Sequence, residues 1–449
     1  MVKKISLSLL SLLLILGFIE FVSRQIPLQS NVTTKLEELY LPPFPPKNPD
    51  YLRVLVLGGS SVQGLPAEKI GFVAQLDDQL RHILGPKRNI EIYNLGWSGY
   101  NSTMVRYSLS RSLLSQPDLV VVYTGENEFI YSQLDAYEAM RLLTTLKNKS
   151  FFIRHILASR QSASAFEPID FKRPPYRVQF LYYQIKMWLF RHNLNNIVKL
   201  AHQHQIPLVL VTTGSNIKDW PPVDPKVTNL SHSLPDGQNA NLLFTQGRYL
   251  EAKDWDLIPW RASTDQNNFI RSLEDKTTTW VADAEKAYML NSIDYLPGFN
   301  FTTDNVHPSR EGAYLIVQTI IDLLKTEKMV KPDWWDNPLP MSTLPEFLTR
   351  VKFTPQDEFE LDLKTARYAA KNPFFNLKAA HQYLDSAETI NKKDWRSYAL
   401  RAVVFWLDQD TDSAKRQLHQ AELLFGGPLD LKLAQAHIPY IEEFLKAVK

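Results

Sequence analysis

Leu52-Arg53-Val54-Leu55-Val56-Leu57-Gly58-Gly59-Ser60-Ser61-Val62-Gln63-Gly64 is the stretch on which the reading of this chain turns. Its opening is a short apolar run of the kind that forms a buried parallel strand. Two glycines then permit a tight turn, and Ser60 stands where the chain leaves the carboxyl end of that strand. Ligands and reactive groups gather at that edge of an open α/β sheet. Taken alone, such a stretch is more often a plain turn, so its weight depends on the rest of the chain.

Working outward, strand and helix patterns alternate. Strand candidates lie at 53–57, 90–95, 119–123 and 208–213, with a weaker one at 280–283; helical stretches such as 72–84 and 103–114 lie between them. That alternation implies an α/β fold with a parallel sheet and helices on both faces. The gap between the third and fourth strands is too long for one crossover. Extra helices are expected there at 135–146 and 178–203, within an insertion at about 131–205. A second insertion at about 215–250, rich in Asn, Pro and Ser, reads as irregular.

Length and composition narrow the function classes. The 449 residues suffice for two or three domains, and 44% hydrophobic with 22% charged residues is globular usage. A net charge of +2 without a basic, aromatic-interleaved stripe gives no sign of nucleic acid as a partner. The chain has no cysteine, which excludes disulfides, thiolate metal sites, thiol catalysis and a lipidated lipobox cysteine.

Lys3 and Lys4 precede an apolar run from Ile5 to Val22, followed by Ser23 and Arg24. No small-x-small cleavage site follows, so residues 1–24 read as an uncleaved membrane anchor, with a cleaved secretory signal as the alternative. The lysines would stay inside, placing the rest in the periplasm or outside the cell. Residues 25–50, ending in Leu41-Pro42-Pro43-Phe44-Pro45-Pro46, read as a stiff extended linker. The main α/β domain is then 51–330.

Beyond Trp334 and Trp335 no strand pattern remains, and 340–449 reads as a helical domain. Ala380, Leu384 and Ala387 recur as Ala414, Leu418 and Ala421 at an offset of 34 residues, the tetratricopeptide period. Two such units leave an apolar end that needs cover, so they are expected to dock on the sheet domain, with Trp334 and Trp335 as the contact. A protein partner of these repeats is the competing expectation.

Three further pieces could do chemistry. Gly96, Ser98 and Gly99 follow the second strand candidate, where a glycine lets a backbone N–H approach a substrate oxygen. Gly125-Glu126-Asn127-Glu128 follows the third, where the Asn127 amide could reach the same oxygen; each is also ordinary turn chemistry. Asp304 precedes His307 by three positions, a spacing that lets a carboxylate hold Nδ1–H and leaves Nε2 to take a serine proton. No ligand spacing around His307 fits zinc, and neither a metal nor a cofactor is expected. Asp118 and Glu126 read as solvated or capping residues.

In order and spacing, Gly58-x-Ser60, Gly99, Gly125-x-Asn127 and Asp304-x-x-His307 resemble the four blocks of the SGNH (GDSL-type) hydrolase superfamily, over about 50–325. The resemblance implies a three-layer αβα, flavodoxin-like fold and a Ser60–His307–Asp304 catalytic triad. It also implies an oxyanion hole from Gly99, Asn127 and the Ser60 N–H. The family's Gly-Asp-Ser reads Gly-Gly-Ser here, and its Gly-x-Asn-Asp reads Gly-Glu-Asn-Glu. These variants, with Asn127-Glu128-Phe129, Pro259-Trp260-Arg261-Ala262 and Pro297-Gly298, are similar to a branch that carries tetratricopeptide units. The implied function is an extracytoplasmic serine esterase acting on acyl esters of a carbohydrate or lipid, an O-acetyl group among the candidates. The alternatives are an O-acyltransferase on a cell-envelope polysaccharide and a catalytically idle scaffold.

Ser61 is expected to cap the helix after the turn. The Asn101 sequon reads as composition, because a glycan there would block the cleft. Trp220, Trp255 and Trp260 read as core packing before a sugar-binding groove.

Overall fold

The computed structural model describes residues 15–24, 41–86, 88–129, 137–160, 176–222, 240–256, 259–371 and 374–448. Five parallel strands form one sheet: β1 (Tyr51–Gly58), β2 (Asn89–Gly96), β3 (Leu119–Tyr123), β4 (Leu208–Val211) and β5 (Thr279–Ala282). Their order is β2-β1-β3-β4-β5, the flavodoxin-like order: β2 is added on one side of β1 and β3 to β5 on the other, so the order of strand addition reverses at β1 and β3.

Period-two alternation builds two cores from the same strands. Val54, Val56, Val121, Val209 and Val211 point to one face. Leu55, Leu57, Val120, Val122, Leu208 and Leu210 point to the other. Helices α1 (Ser60–Gln63), α2 (Phe72–Leu84), α3 (Ser102–Ser112), α4 (Tyr176–Gln203), α5 (Thr264–Ser272) and α6 (Arg310–Thr326) follow in chain order. α2 and α6 supply Phe72, Leu76, Ile316 and Ile320 to the first core, while α3 and α4 supply Met104, Leu109, Phe190 and Leu194 to the second. The sandwich is therefore three-layered, as expected.

Helix starts follow local chemistry. The Asn101 side chain accepts from the N–H groups of Thr103 and Met104, and Ser309 accepts from Gly312 N–H. Ser263 and Gln266 form a capping box at α5. Asn101 is buried, so its sequon has no room for a glycan.

Two expectations for the flanking segments change. The proline-rich stretch is no free spacer where it is described, because its residues are held at the sheet. Phe44 packs edge-on against Tyr93 at 5.1 Å, Pro45 accepts from Arg53, and Lys47 pairs with Asp118 at 2.5 Å. Asp118, which also accepts from Arg53 N–H, thus lies at the amino end of β3, away from the catalytic edge. The 215–250 stretch is not wholly irregular: helices Ala240–Thr245 and Tyr249–Asp254 lie at its end, and 223–239 are outside the described residues.

Of the proposed anchor, 1–14 lie outside the described residues. Residues 15–24 are helical, and Glu20 accepts from Ser150 Oγ and the N–H groups of Phe151 and Phe152 at the start of helix Phe151–Arg160. Among the described residues, no helix is long and apolar enough to cross a membrane.

The C-terminal part is helical: Leu344–Arg350, then α7 (Pro355–Ala369), α8 (Leu377–Ile390), α9 (Trp395–Leu407), α10 (Thr411–Phe425), Leu431–His437 and α11 (Ile441–Val448). Ala380, Leu384 and Ala387 on α8, and Ala414 and Ala421 on α10, are buried in one core. That core also takes in Trp220, with Trp260 and Phe299 packed on its border, so the helices are seated on the sheet-bearing part. Phe374 packs edge-on against both Trp220 (5.5 Å) and Trp260 (5.1 Å).

Trp334 and Trp335 do not make this contact. Trp335 is buried beside α6 with its Nε1–H donated to the Met329 carbonyl, and Arg88 covers Trp334. The aromatic contact comes instead from Trp220, Trp260 and Phe299. Trp255 is substantially exposed, unlike Trp220.

Candidate active site

The reversal of strand order between β1 and β3 opens a crevice at their carboxyl ends. Ser60 enters it directly after β1, as the first residue of the single-turn helix α1. Gly59 is its N-cap, and a Cβ there would stand 2.4 Å from Asn127 Nδ2. A glycine therefore lets the Ser60 turn and the Asn127 amide share this space.

The Asp304–His307 loop comes from the segment before α6. A lone antiparallel bridge joins Thr302 and Pro308, and the Thr303 N–H donates to the His307 carbonyl at 2.8 Å. Asp304 Oδ1 accepts the backbone N–H groups of Val306 (2.9 Å) and His307 (2.8 Å), and its Oδ2 lies 2.5 Å from His307 Nδ1. One carboxylate thus fixes both the loop and the ring. His307 Nε2 lies 2.7 Å from Ser60 Oγ, bridging 247 positions of sequence. All three side chains are buried. Burial opposes a charged imidazole, but the charge and hydrogen bond of Asp304, helped by the charge of Glu126, outweigh it and raise the His307 pKa.

Ser60, Gly99 and Asn127 line one cavity of about 300 Å³. Gly99 has φ +79°, a left-handed conformation that carries its peptide around the turn after β2. Asn127 donates one amide hydrogen to the Tyr100 carbonyl at 3.0 Å, which orients it and leaves its second hydrogen. Glu128 accepts from Ser102 N–H (2.7 Å) and Ser102 Oγ (2.9 Å), securing the start of α3 behind this turn.

Two neighbouring residues depart from expectation. Ser61 is no helix cap, because its hydroxyl donates to both Glu126 oxygens, at 2.8 and 2.9 Å. Glu126 is not solvated but buried, and burial pushes its pKa up to about 7 against the lowering influence of His307 and Ser61. Burial and then the Glu126 charge drive the Tyr123 and Tyr288 phenols well above the usual range. A titratable carboxyl group therefore sits behind the serine turn, within electrostatic reach of His307.

The remaining wall was not foreseen. Lys364, Thr365, Arg367 and Tyr368 of α7, with Lys371 just beyond it, line the same cavity. Tyr368 stands edge-on to the His307 ring at 6.1 Å. Nothing in a helical stretch that reads as an ordinary polar face marks these residues. Trp260 also lines the cavity, while Arg261 is buried and donates to the carbonyls of Asn216 and Trp220. Gly298 lets Asp219 approach, and Asp219 accepts from Phe299 N–H at 3.0 Å. The Pro-Trp-Arg-Ala and Pro-Gly segments are thus both tied to the stretch 216–220. Among the described residues, no group of three His, Asp or Glu side chains is placed to hold a metal.

No protein-family model matches the sequence, and no curated protein matches it. Among solved structures, the chain is similar to a GDSL-like lipase from Bacteroides thetaiotaomicron, with 13% identity over 61% of this chain and 88% of that one and a TM-score of 0.29. It is similar to a psychrotrophic esterase from a Pseudoalteromonas species, with 13% identity, 61% and 97% covered and a TM-score of 0.29. A gut microbial diltiazem-metabolizing enzyme matches 90% of this chain and 95% of its own, at 9% identity and a TM-score of 0.33. Likeness at this level assigns no role to any residue here, and the roles rest on the geometry of this chain.

Proposed function

We propose that this protein is a serine ester hydrolase of the SGNH type. The observation that carries the reading is the continuous Asp304–His307–Ser60 relay, with contacts of 2.5 and 2.7 Å at the mouth of a cavity. In this reading Ser60 Oγ attacks the ester carbonyl carbon while its proton passes to His307 Nε2. The oxyanion that forms meets the second Asn127 amide hydrogen and the N–H groups of Gly99 and Ser60; one such donor lowers a barrier by about 3 kcal/mol. His307 returns the proton to the departing alcohol oxygen, leaving an acyl group on Ser60. It then deprotonates water, which attacks the acyl carbon, and passes that proton to Ser60 Oγ as the Ser60–acyl bond breaks and the acid leaves. Asp304 keeps the ring in the required tautomer and stabilises the imidazolium.

The reading extends to a site outside the cytoplasm, supported by Lys3 and Lys4 ahead of the apolar run from Ile5. Hydrolysis of p-nitrophenyl acetate tests the activity. Wild type is expected to turn it over, and His307→Ala and Ser60→Ala to lose at least about a thousandfold. Equal rates in wild type and Ser60→Ala would contradict the assignment. Fusion of a periplasm-dependent reporter after residue 449 tests the location, which an inactive reporter would refute.

A further inference from the structure

The catalytic cavity is uneven in charge. On the loop side its carboxylate is Asp304, already committed to His307. On the helical side it carries Lys364, Arg367 and Lys371. Lys364 donates to the Pro66 carbonyl at 2.6 Å and Arg367 to the Ala436 carbonyl at 3.4 Å, both neutral acceptors. Among the described residues, none of the three pairs with a carboxylate. Neighbouring cations do: Arg396 with Glu360 and Asp394, Arg401 with Asp385 and Glu388, and Arg310 with Glu358.

The strain among the three is legible. Burial and then the Arg367 charge lower the Lys371 pKa. Burial lowers that of Lys364, with Glu68 opposing and Arg367 adding to the effect. Like charges gathered in a half-buried pocket destabilise the empty protein and raise the local concentration of anions. Arg367 also offers the planar fork that matches a carboxylate or phosphate.

We propose that the ester cleaved at Ser60 belongs to an anionic molecule whose carboxylate or phosphate is bound by Lys364, Arg367 and Lys371. The proposal rests on the ester-hydrolase reading for its chemistry, and on the unpaired cations for its specificity. A bound anion would also offset the Lys364 charge, which works against the His307 imidazolium. Substrate binding and proton transfer would then assist one another.

The test uses the full chain and esters matched except for charge. One arm compares O-acetylated oligogalacturonate with its neutral carboxamide. The other compares O-acetylglucose 6-phosphate with O-acetylglucose. In at least one arm the anionic ester is expected to be favoured in kcat/KM by roughly 10- to 100-fold, as charge-assisted hydrogen bonds allow. That ratio should collapse toward unity in combined Arg367→Gln and Lys371→Gln, and shrink in 0.5 M salt. A ratio near one in both arms, or one untouched by the double substitution, would overturn the proposal.

A binding measurement separates this failure from that of the hydrolase reading. Ser60→Ala protein is titrated calorimetrically with unacetylated oligogalacturonate and with glucose 6-phosphate. Binding that disappears with the double substitution supports the anion site even where no ester is cleaved, and then the hydrolase reading falls. Ester turnover with neither anion bound overturns the anion site alone.

Discussion

The Tyr383 hydroxyl donates to the Thr303 carbonyl at 2.7 Å, so a C-terminal helix holds the loop that carries Asp304 and His307. Tyr368 touches the His307 ring from α7, and Lys364 ties α7 to the loop after Ser60 through Pro66. The C-terminal helices are thus part of the site's construction. Tyr383→Phe should lower stability by about 1 kcal/mol, the usual net worth of one hydrogen bond. Turnover should fall more than KM changes, because the loop and not the substrate is disturbed. Denaturant melts and steady-state kinetics check this; unchanged kcat would mean the loop holds its shape unaided.

Removal of residues 340–449 is the coarser form of the same expectation. It would bare Trp220, Trp260 and Phe299 and remove one wall of the cavity. An aggregating or inactive remnant is expected, scored by gel filtration and ester turnover. A monomeric, fully active remnant would show that the helices are an independent module.

Glu126→Gln should alter two pH dependences. The Glu126 pKa, raised to about 7 in the fold, means that the protonated form is favoured. Its contribution is full below about 4.5, the ordinary value, and is lost as pH rises through 7. The difference amounts to about 3 kcal/mol. His307, also raised, contributes in the same direction, below its ordinary value and lost above its folded one. Thermal melts from pH 5 to 7.5 should therefore fall with pH in wild type and flatten in Glu126→Gln. Without the Glu126 charge the His307 pKa drops, so the acidic limb of kcat/KM should move to lower pH. A limb that stays in place would show that the charge does not reach the ring.

Asn127→Ala should slow turnover by roughly a hundredfold, with KM little altered. Gly59→Ala should act in the same direction, since its methyl group would take the space of the Asn127 amide. If the two effects share one cause, the double variant should be no slower than Asn127→Ala alone. Full additivity of the two losses would separate the Gly59 position from the amide.

The strands were readable because most are short apolar runs rich in β-branched residues and bounded by turn residues, and Leu119–Tyr123 falls where the apolar run does. Ser60, Gly99, Asn127, Asp304 and His307 each read alone as ordinary turn or surface chemistry, and only their order and spacing taken together singled them out. Glu126 and Ser61 were misjudged, since nothing local distinguishes a buried Glu from a solvated one. Glu126 is buried within electrostatic reach of Asp304, His307 and Tyr288, all distant in sequence. Lys364, Arg367 and Lys371 were invisible for a like reason: on an isolated helix they make an ordinary polar face, and only packing turns that face toward Ser60.

The most direct test of the central claim is labelling by a fluorophosphonate probe, with the modified residue mapped by peptide mass spectrometry. Such probes react with serines activated by a neighbouring base. Wild type and Ser61→Ala should be labelled, the former at Ser60, while Ser60→Ala and His307→Ala should not. An unlabelled wild type, or a label that persists in Ser60→Ala, would contradict the account.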